Sequence, residues 1–159
     1  MAAVDEPAIA ALLIGKSARA SELNIKFKFQ EESHYSRNDM GLSSEMMVTV
    51  IGNLIDNAFE AMNLSVNKNE RNNELRVGIY SKPNKILLIV EDTGVGISEE
   101  DLGKIFDKGF STKGEGRGTG LYQIKDMIEN AGGRIYVDSK ENKGTIFTVI
   151  FEDEQDGAR

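Results

Sequence analysis

The 159-residue chain has no cysteine and no tryptophan, and it has only two prolines and one histidine. Without cysteine it forms neither a disulfide nor a thiolate metal site. No apolar run approaches the roughly 20 residues that a membrane span needs. Residues 1–7 also lack the basic and apolar regions of a secretory signal. These absences predict a globular piece whose length fits one domain with its own core.

Basic residues are in the minority, with 19 Lys and Arg against 26 Asp and Glu and a formal net charge of −7. A nucleic-acid partner requires a basic face, so the charge predicts that the chain binds no nucleic acid. One small anion can still bind an acidic protein, through backbone amides, a helix N-terminus or a bridging metal.

The spacing of apolar residues predicts helices and strands in a mixed order. Helices are predicted over residues 8–20, about 43–64 and about 119–131. Strands are predicted over residues 23–30, 75–81, 85–91, 134–139 and 145–151, with loops over 31–41 and 65–73. Because the order lacks regular βαβ alternation, we expect an α+β fold. It would be a two-layer α/β sandwich with a mixed, mostly antiparallel sheet and helices on one face.

Two asparagines mark the central predicted helix. Asn53 and Asn57 are four residues apart and therefore share one face. Their amide oxygens are hard ligands that suit Mg²⁺, an ion that takes waters and substrate phosphates as its other ligands. Two amides that face solvent or cap a loop would give the same pattern, and from this pair alone the alternatives remain equal.

A glycine motif follows the strand over 85–91. Asp92 is followed by Gly94, Gly96 and Ile97. The glycines let the backbone approach a flat ligand because they carry no Cβ. A carboxylate at the strand end can accept a hydrogen bond from an exocyclic amine such as that of adenine. An ordinary Asp-x-Gly turn explains the motif equally simply, and for these residues alone it is the better interpretation.

A glycine-rich stretch then leads directly into a helix. Its glycines alternate at Gly114, Gly116, Gly118 and Gly120. Such a loop can turn its amides onto an anion at the helix N-terminus, and Lys113 and Arg117 add positive charge. The stretch has neither the Gly-Lys-Ser/Thr ending of a P-loop nor a surrounding βαβ unit. A flexible linker is the alternative, although a linker rarely begins an amphipathic helix.

Two aromatic residues, Phe106 and Phe110, lie in the irregular segment before that stretch. They can anchor a mobile lid to the body of the domain. Plain core packing is at least as good an explanation for Phe106.

Taken together, the order and separation of these motifs resemble the GHKL superfamily. This superfamily includes histidine kinases, ATPase subunits of type II topoisomerases, a heat-shock chaperone and mismatch-repair ATPases. The N box corresponds to Asn53–Asn57, the G1 box to Asp92–Gly96, the F box to Phe106–Phe110 and the G2 box to Gly116–Leu121, with a final glycine–threonine motif at Gly144-Thr145. The resemblance covers about 23–151. It implies the Bergerat fold, with ATP between the long helix and a glycine-rich ATP lid.

Residue roles follow from this resemblance. Asn57 would be the principal Mg²⁺ ligand, supported by Asn53. Asp92 would bind the adenine amine beside Gly94, Gly96 and Ile97, and Thr145 would add a water-mediated contact near the base. The residues that would hold the phosphates are Lys113, Arg117, Gly118, Thr119, Gly120 and Leu121. Among all of these, the residues expected to act in catalysis are Asn53, Asn57, Lys113 and Arg117.

A narrower resemblance is to sensor kinases of the citrate and C4-dicarboxylate class. The stretch over 5–22 looks like the segment that joins their phosphoacceptor helices to the catalytic domain. It implies a linker helix over 1–22, an ATP-binding catalytic domain over 23–152 and an acidic tail over 153–159.

Position 53 distinguishes between functions. Hydrolytic members of the superfamily carry a glutamate where this chain has Asn53, and an amide has no useful basicity at neutral pH. The resemblance therefore implies a domain that binds Mg-ATP, hydrolyses it poorly and phosphorylates a histidine on a separate domain. An independent ATPase and an anti-sigma-type serine kinase are the alternatives, and both would want the glutamate. A second departure is Glu60, where many histidine kinases have a lysine near the phosphates.

The only histidine, His34, lies in a polar stretch and lacks the acceptor motif that follows a phosphorylated histidine. We expect it to lie on a surface loop. The phosphoacceptor would then be in a missing domain of the same receptor, with a response regulator as an indirect partner. The resemblance implies the cytoplasmic domain of an inner-membrane receptor, here a soluble, monomeric fragment without autophosphorylation.

Overall fold

The computed structural model describes residues 3–63, 72–110 and 119–153. Within these residues, the helices are α1 (Pro7–Glu22), α2 (Ser44–Asn63), α3 (Glu99–Leu102) and α4 (Thr119–Asn130). The strands are β1 (Ala3–Asp5), β2 (Lys26–Phe29), β3 (His34–Ser36), β4 (Glu74–Lys82), β5 (Lys85–Asp92), β6 (Gly133–Lys140) and β7 (Gly144–Glu152). Most of the predicted loop over 65–73, and the tail after 153, lie outside the described residues.

The strands form one mixed sheet in the order β1-β3-β4-β5-β7-β6, and β2 also pairs with β4. The three long ladders, β4–β5, β5–β7 and β6–β7, are antiparallel. The pairs at the other edge are parallel and short, and β2 and β3 lie one after the other along β4. The predicted mixed, mostly antiparallel sheet is confirmed.

The helices begin and end where the local sequence provides caps. Glu6 is the N-cap of α1, where its carboxylate accepts a hydrogen bond from the Ala8 amide at 3.3 Å and Pro7 takes the first helical position. Before α2, the Ser43 hydroxyl accepts from the Met46 amide at 3.1 Å. After α4, Gly132 adopts a φ of +85°, which ends the helix without strain. The predicted helix boundaries are therefore correct to within a few residues.

The core lies between the sheet and a helical layer built around α2. Side chains of β5 alternate between buried and half-buried, as expected for a sheet with one covered face. One side of α2 is fully buried, and α1 adds Ile9, Leu13 and Ala20 to the same apolar cluster. This arrangement confirms the predicted two-layer α/β sandwich.

The sequence failed to predict β1 and β3. Residues 31–41 were expected to be a loop, yet β3 lies within them, and His34 is on this strand rather than on a loop. His34 is exposed, as expected. A three-residue strand is too short to show alternation, and β3 is fixed by Tyr35, whose ring is buried. Burial raises the pKa of Tyr35, and the nearby charges of Glu6 and Asp39 raise it further.

Strand β2 is shorter than predicted. Residues 23–25 close α1 instead of extending the strand, because the Leu23 amide donates to carbonyls of the last helical turn. Asn24 has a φ of +58° and turns the chain toward the sheet. None of the helices in the described part of the chain is long and apolar enough to cross a bilayer.

Candidate functional site

The polar face of α2 forms the floor of the candidate site. Asn53 is exposed, and its Nδ2 donates to the Thr49 carbonyl at 2.7 Å. Asn57 follows one turn later and is half-buried, as is Glu60 a further turn along. The predicted placement of both asparagines on one helix face is confirmed. The donor atom of the Asn53 amide is engaged within the helix, so its carbonyl oxygen remains to face the site.

The start of α4 lies close to Asn53. A Cβ added to Gly120, in the first turn of α4, would be 3.9 Å from Asn53 Oδ1. Leu121, the next residue, packs partly buried against the apolar core. The fold thus brings the N box and the end of the glycine-rich stretch together, although more than 60 residues separate them in the sequence.

The loop after β5 lies against the other end of α2. Asp92 is the last residue of β5 and is buried, with 6% of its surface exposed. Its Oδ1 accepts a hydrogen bond from the Gly94 amide at 2.7 Å. The Val95 amide donates to the Ala61 carbonyl of α2 at 3.2 Å. These bonds fix the position of the carboxylate relative to the helix.

Gly94 and Gly96 are required by close contacts within the protein. A Cβ on Gly94 would lie 2.7 Å from the Ala61 carbonyl carbon. Gly96 has a φ of +72°, and a Cβ there would lie 2.0 Å from the Lys140 carbonyl oxygen. Both glycines thus make room for the protein's own backbone, Gly94 for α2 and Gly96 for the β6–β7 turn. Their close approach to a flat ligand stays a prediction.

Thr145 lies beside Asp92. The two residues are register partners on β5 and β7, and Thr145 is 4% exposed. Its Oγ1 lies 2.8 Å from Ser139 Oγ on β6. Ser139 also accepts from the Ile97 amide at 2.8 Å and donates to the Gly144 carbonyl at 2.9 Å. The structure thus brings Asp92, Ile97 and Thr145 together, and their roles toward a base stay predictions.

Sequence reasoning missed Ser139. A single serine in an alternating strand has no motif around it. The only available signal was its place opposite the predicted Gly144-Thr145 motif across a predicted hairpin.

The aromatic residues of the F box pack against the body. The rings of Phe106 and Phe147 meet edge to face, with centroids 6.5 Å apart and an interplanar angle of 72°. The ammonium of Lys125 on α4 lies 5.9 Å from the Phe106 centroid. Phe106 therefore packs against the core, and its role as an anchor of a lid stays a prediction. Phe110 also packs partly buried against the core.

Several predicted phosphate-binding residues, namely Lys113, Arg117 and Gly118 together with the side chain of Thr119, lie outside the part of the chain that the structure describes. Their roles remain predictions.

The arrangement describes an elongated site along α2. Asn53 lies beside the start of α4, Ala61 lies against the loop after β5, and Asn57 lies between them. The eight residue steps from 53 to 61 span about 12 Å of helix. In the described ranges, no three His, Cys, Asp or Glu side chains cluster as metal ligands. A cation here would depend on amide oxygens, waters and ligand phosphates, which is the coordination that Mg²⁺ prefers.

Residues 43–155 match the family model described as histidine kinase-, DNA gyrase B-, and HSP90-like ATPase. The chain belongs to this ATPase family. The match begins just before α2 and ends just after β7, so it includes all of the site described above.

Curated relatives within the ATPase family are sensor kinases. The chain is 34% identical over 150 residues to the probable C4-dicarboxylate sensor kinase of Halalkalibacterium halodurans, with 94% of this chain and 28% of the relative covered. It is 34% identical to the sensor protein CitS of Bacillus subtilis, with 92% and 26% covered. It is 36% identical to the sensor histidine kinase DcuS of Escherichia coli K12, with 93% and 26% covered. The chain thus spans about a quarter of the length of these relatives.

Solved structures with the same fold are histidine kinases. The catalytic domain of ThkA superposes with a TM-score of 0.68 at 26% identity, and 92% of this chain and 90% of that chain are covered. Full-length ShkA in complex with AMPPNP superposes with a TM-score of 0.73 at 21% identity, over 94% of this chain and 30% of ShkA. The ShkA likeness shows the shared fold alone. Together with the family match, these structures confirm the Bergerat fold that the sequence motifs implied.

Proposed function

We propose that this chain is the ATP-binding catalytic domain of a two-component sensor histidine kinase of the citrate and C4-dicarboxylate class. It would bind Mg-ATP and donate the γ-phosphoryl group to a histidine on a separate dimerisation domain. The observation that carries the proposal is the polar face of α2. At one end of this face, Ala61 contacts Gly94 in the loop that follows the buried Asp92. At the other end, Asn53 lies beside the start of α4. The ATPase family and the named sensor kinases give the same assignment.

The base end of the site consists of Asp92, Thr145 and the loop over 93–97. Asp92 would accept a hydrogen bond from the exocyclic amine of adenine. Its carboxylate is already aligned by the Gly94 amide, so little ordering is needed when the base binds. A hydrogen bond to a charged group contributes about 1.5–3 kcal/mol.

The phosphate end consists of Asn53, Asn57 and the start of α4. Asn57 and the outward oxygen of Asn53 would hold Mg²⁺, with the remaining positions taken by phosphate oxygens and waters. The ion would neutralise charge on the triphosphate. The α4 N-terminus, with Gly120 and Leu121, would place backbone amides near the phosphates. Lys113, Arg117, Gly118 and Thr119 would complete this end.

The described residues favour transfer to a histidine over hydrolysis. Asn53 stands where a general base would be needed, and an amide does not accept a proton from water. Asp56, the carboxylate between the two asparagines, is held by Lys16 of α1 at 2.6 Å. Positioning and charge neutralisation would then supply the catalysis, as is general for phosphoryl transfer.

The whole receptor would contain parts absent from this chain. In this proposal, residues 1–22 are a linker from the dimerisation and phosphoacceptor domain, 23–152 the catalytic domain and 153–159 an acidic tail. The domain would work on the cytoplasmic side of an inner-membrane receptor, and a response regulator would take the phosphoryl group from the histidine.

Calorimetric titration with ATP, with and without Mg²⁺, tests this function when phosphate release is measured in the same samples. We expect Mg²⁺-dependent binding with negligible turnover and no phosphorylation of His34. Absence of binding would refute the nucleotide site. Binding with sustained hydrolysis would refute the kinase assignment and direct attention to Glu60, another carboxylate on the same helix face.

A further inference from the structure

The hydroxyl of Ser139 makes three short polar contacts at the base end. Its Oγ lies 2.8 Å from the Ile97 amide nitrogen, 2.9 Å from the Gly144 carbonyl oxygen and 2.8 Å from Thr145 Oγ1. One strand residue thereby connects the loop after β5 to the start of β7.

Only one arrangement of protons places a hydrogen in each of these contacts. The Ile97 amide must donate to Ser139, because an N–H cannot accept. The Gly144 carbonyl can only accept, so Ser139 must donate its single proton there. Ser139 then has no proton for Thr145, and Thr145 must donate to Ser139. The opposite choice would leave the Ser139 and Gly144 oxygens 2.9 Å apart without a hydrogen between them, which is repulsive.

The consequence falls on Thr145. A threonine hydroxyl has one hydrogen and two lone pairs. Once the hydrogen is committed to Ser139, Thr145 offers the site lone pairs only. Its register partner Asp92 lies beside it on the same side of the sheet, and an ionised carboxylate is also an acceptor without donors. The end of β5 and the start of β7 therefore present acceptors to a ligand.

We propose that Ser139 is a positioning residue that sets base selectivity by holding the Thr145 hydroxyl as an acceptor. A base that carries an amine at this edge, as adenine does, meets acceptors directly or through a water. A base with a carbonyl there, as in inosine or guanosine nucleotides, meets oxygen opposite oxygen. The inference rests on the proposed function as a nucleotide site and adds to it a residue and a mechanism of discrimination.

The test compares the affinities of the full chain for ATP and for inosine triphosphate, whose base has a carbonyl in place of adenine's amine. Ser139→Ala frees the Thr145 proton, so the variant should bind ATP less tightly and inosine triphosphate more tightly. We expect the ATP preference to fall by about 2- to 10-fold, the range for one hydrogen bond. An unchanged preference would overturn the inference.

Ser33→Ala is the matched control. Ser33 is buried where Ser139 is half-buried, and its Oγ likewise accepts a hydrogen bond from a backbone amide, that of Ile79 at 3.2 Å, away from the site. Ser33→Ala should lose stability and keep the parent's ATP preference. A fall in preference equal to that of Ser139→Ala would show that general loosening, rather than the Thr145 hydroxyl, sets the selectivity.

Thr145→Val gives a second measurement that does not depend on the folding of Ser139→Ala. It removes the acceptor without adding a donor, so ATP should bind less tightly. Inosine triphosphate should bind equally or more tightly, because the oxygen opposite its carbonyl is gone. In this background, adding Ser139→Ala should not change the preference further, because the residue through which it acts is gone. Weaker binding of inosine triphosphate by Thr145→Val would show that Thr145 donates, and would refute the proton assignment.

The outcomes separate this inference from the proposed function. A parent chain that binds neither nucleotide would overturn both. A parent chain that prefers ATP, with a preference that Ser139→Ala leaves intact, would overturn only the role of Ser139.

Discussion

The base end and the phosphate end of the α2 face differ in how firmly the protein itself holds them. At the base end, Asp92 and Thr145 are buried. The loop over 93–97 is hydrogen-bonded to α2 through the Ala61 carbonyl. It is also hydrogen-bonded to the β6–β7 turn, where the Asn142 amide donates to the Val95 carbonyl at 2.6 Å. At the phosphate end, Asn53 is exposed, and even a Cβ added to Gly120 would reach only ordinary van der Waals distance from Asn53 Oδ1.

This difference suggests a division of work between the two ends. A preformed base end would recognise the nucleoside at little entropic cost. At the phosphate end, the described residues leave the Asn53 side chain exposed, where the proposed ion and phosphates would bind. Changes that break the internal contacts of the base end should therefore alter affinity and folding together, whereas changes at Asn53 or Asn57 should alter only what depends on the ion and the phosphates.

The largest effect is expected from Asp92→Asn. The amide can still accept from Gly94, but it replaces the charged acceptor for the adenine amine. ATP affinity should fall roughly 10- to 150-fold, the equivalent of one hydrogen bond to a charged group. Calorimetry measures the loss, and a melting curve close to the parent's would show that the fold is intact. Unchanged affinity would remove Asp92 from the base end.

The next effect concerns folding at the base end. Gly96→Ala combines a positive φ with a blocked Cβ position, so the free energy of unfolding should fall by more than the roughly 1–2 kcal/mol expected for left-handed backbone alone. Urea denaturation measures the change.

Three glycines separate the two causes. Gly109 has a φ of +85° but open space around an added Cβ, and Gly94 has a close contact without a positive φ. Gly103 has neither feature. Each is replaced by alanine. We expect Gly96→Ala to be the most destabilising of the four and Gly103→Ala to be neutral or slightly stabilising. Equal effects at Gly96 and Gly109 would mean that the β6–β7 turn moves away easily, and the base end would then not be rigid.

Asn57→Ala at the phosphate end should change only the Mg²⁺-dependent part of ATP affinity. In the presence of Mg²⁺ the variant should bind ATP only as tightly as the parent does without the ion, because its principal ligand is lost. Titrations of both proteins with and without Mg²⁺ measure this. If the ion makes no difference to the parent chain, the assignment of Asn57 is wrong.

The smallest effect is expected from a surface charge next to the base end. Glu74, whose amide donates to Thr93 Oγ1 at 3.0 Å, is paired with Arg76 and Lys28. The Arg76 hydrogen bond, more than any other cause, lowers the pKa of Glu74 below its usual 4.5.

A lowered carboxylate pKa stabilises the fold above the unfolded pKa, and this contribution is lost as pH falls through the folded value. Glu74→Gln should therefore unfold slightly more easily than the parent at neutral pH, and the difference should shrink below pH 4.5. Thermal melts from pH 3 to 7 measure it. A large loss of stability would contradict the screening expected for exposed ion pairs.

The parts of the fold that the sequence predicts are those with long periodic patterns. Helix α2 and the two hairpins span enough residues for their periodicity to be visible, and the motifs fall on them in a specific order. Strands β1 and β3 have three residues each and depend on contacts distant in sequence.

The site follows the same rule. Asp92 and Asn57 are visible because they lie in motifs. Ser139 is defined by its position opposite Thr145 across a hairpin. The close contacts of Gly94 and Gly96 depend on where α2 and the β6–β7 turn lie. These tertiary contacts have no motif in the local sequence.

The pairing of β5 with β7 has a consequence for folding kinetics. Asp92 and Thr145 are register partners but lie about 50 residues apart in the chain. The hairpins β4–β5 and β6–β7 need only short turns and can form within microseconds. The β5–β7 ladder forms only when the long segment between these strands, which includes α3 and α4, closes into a loop. Closing a loop of this length slows folding. Nucleotide recognition should therefore be among the last properties to appear on refolding, after most of the secondary structure has formed.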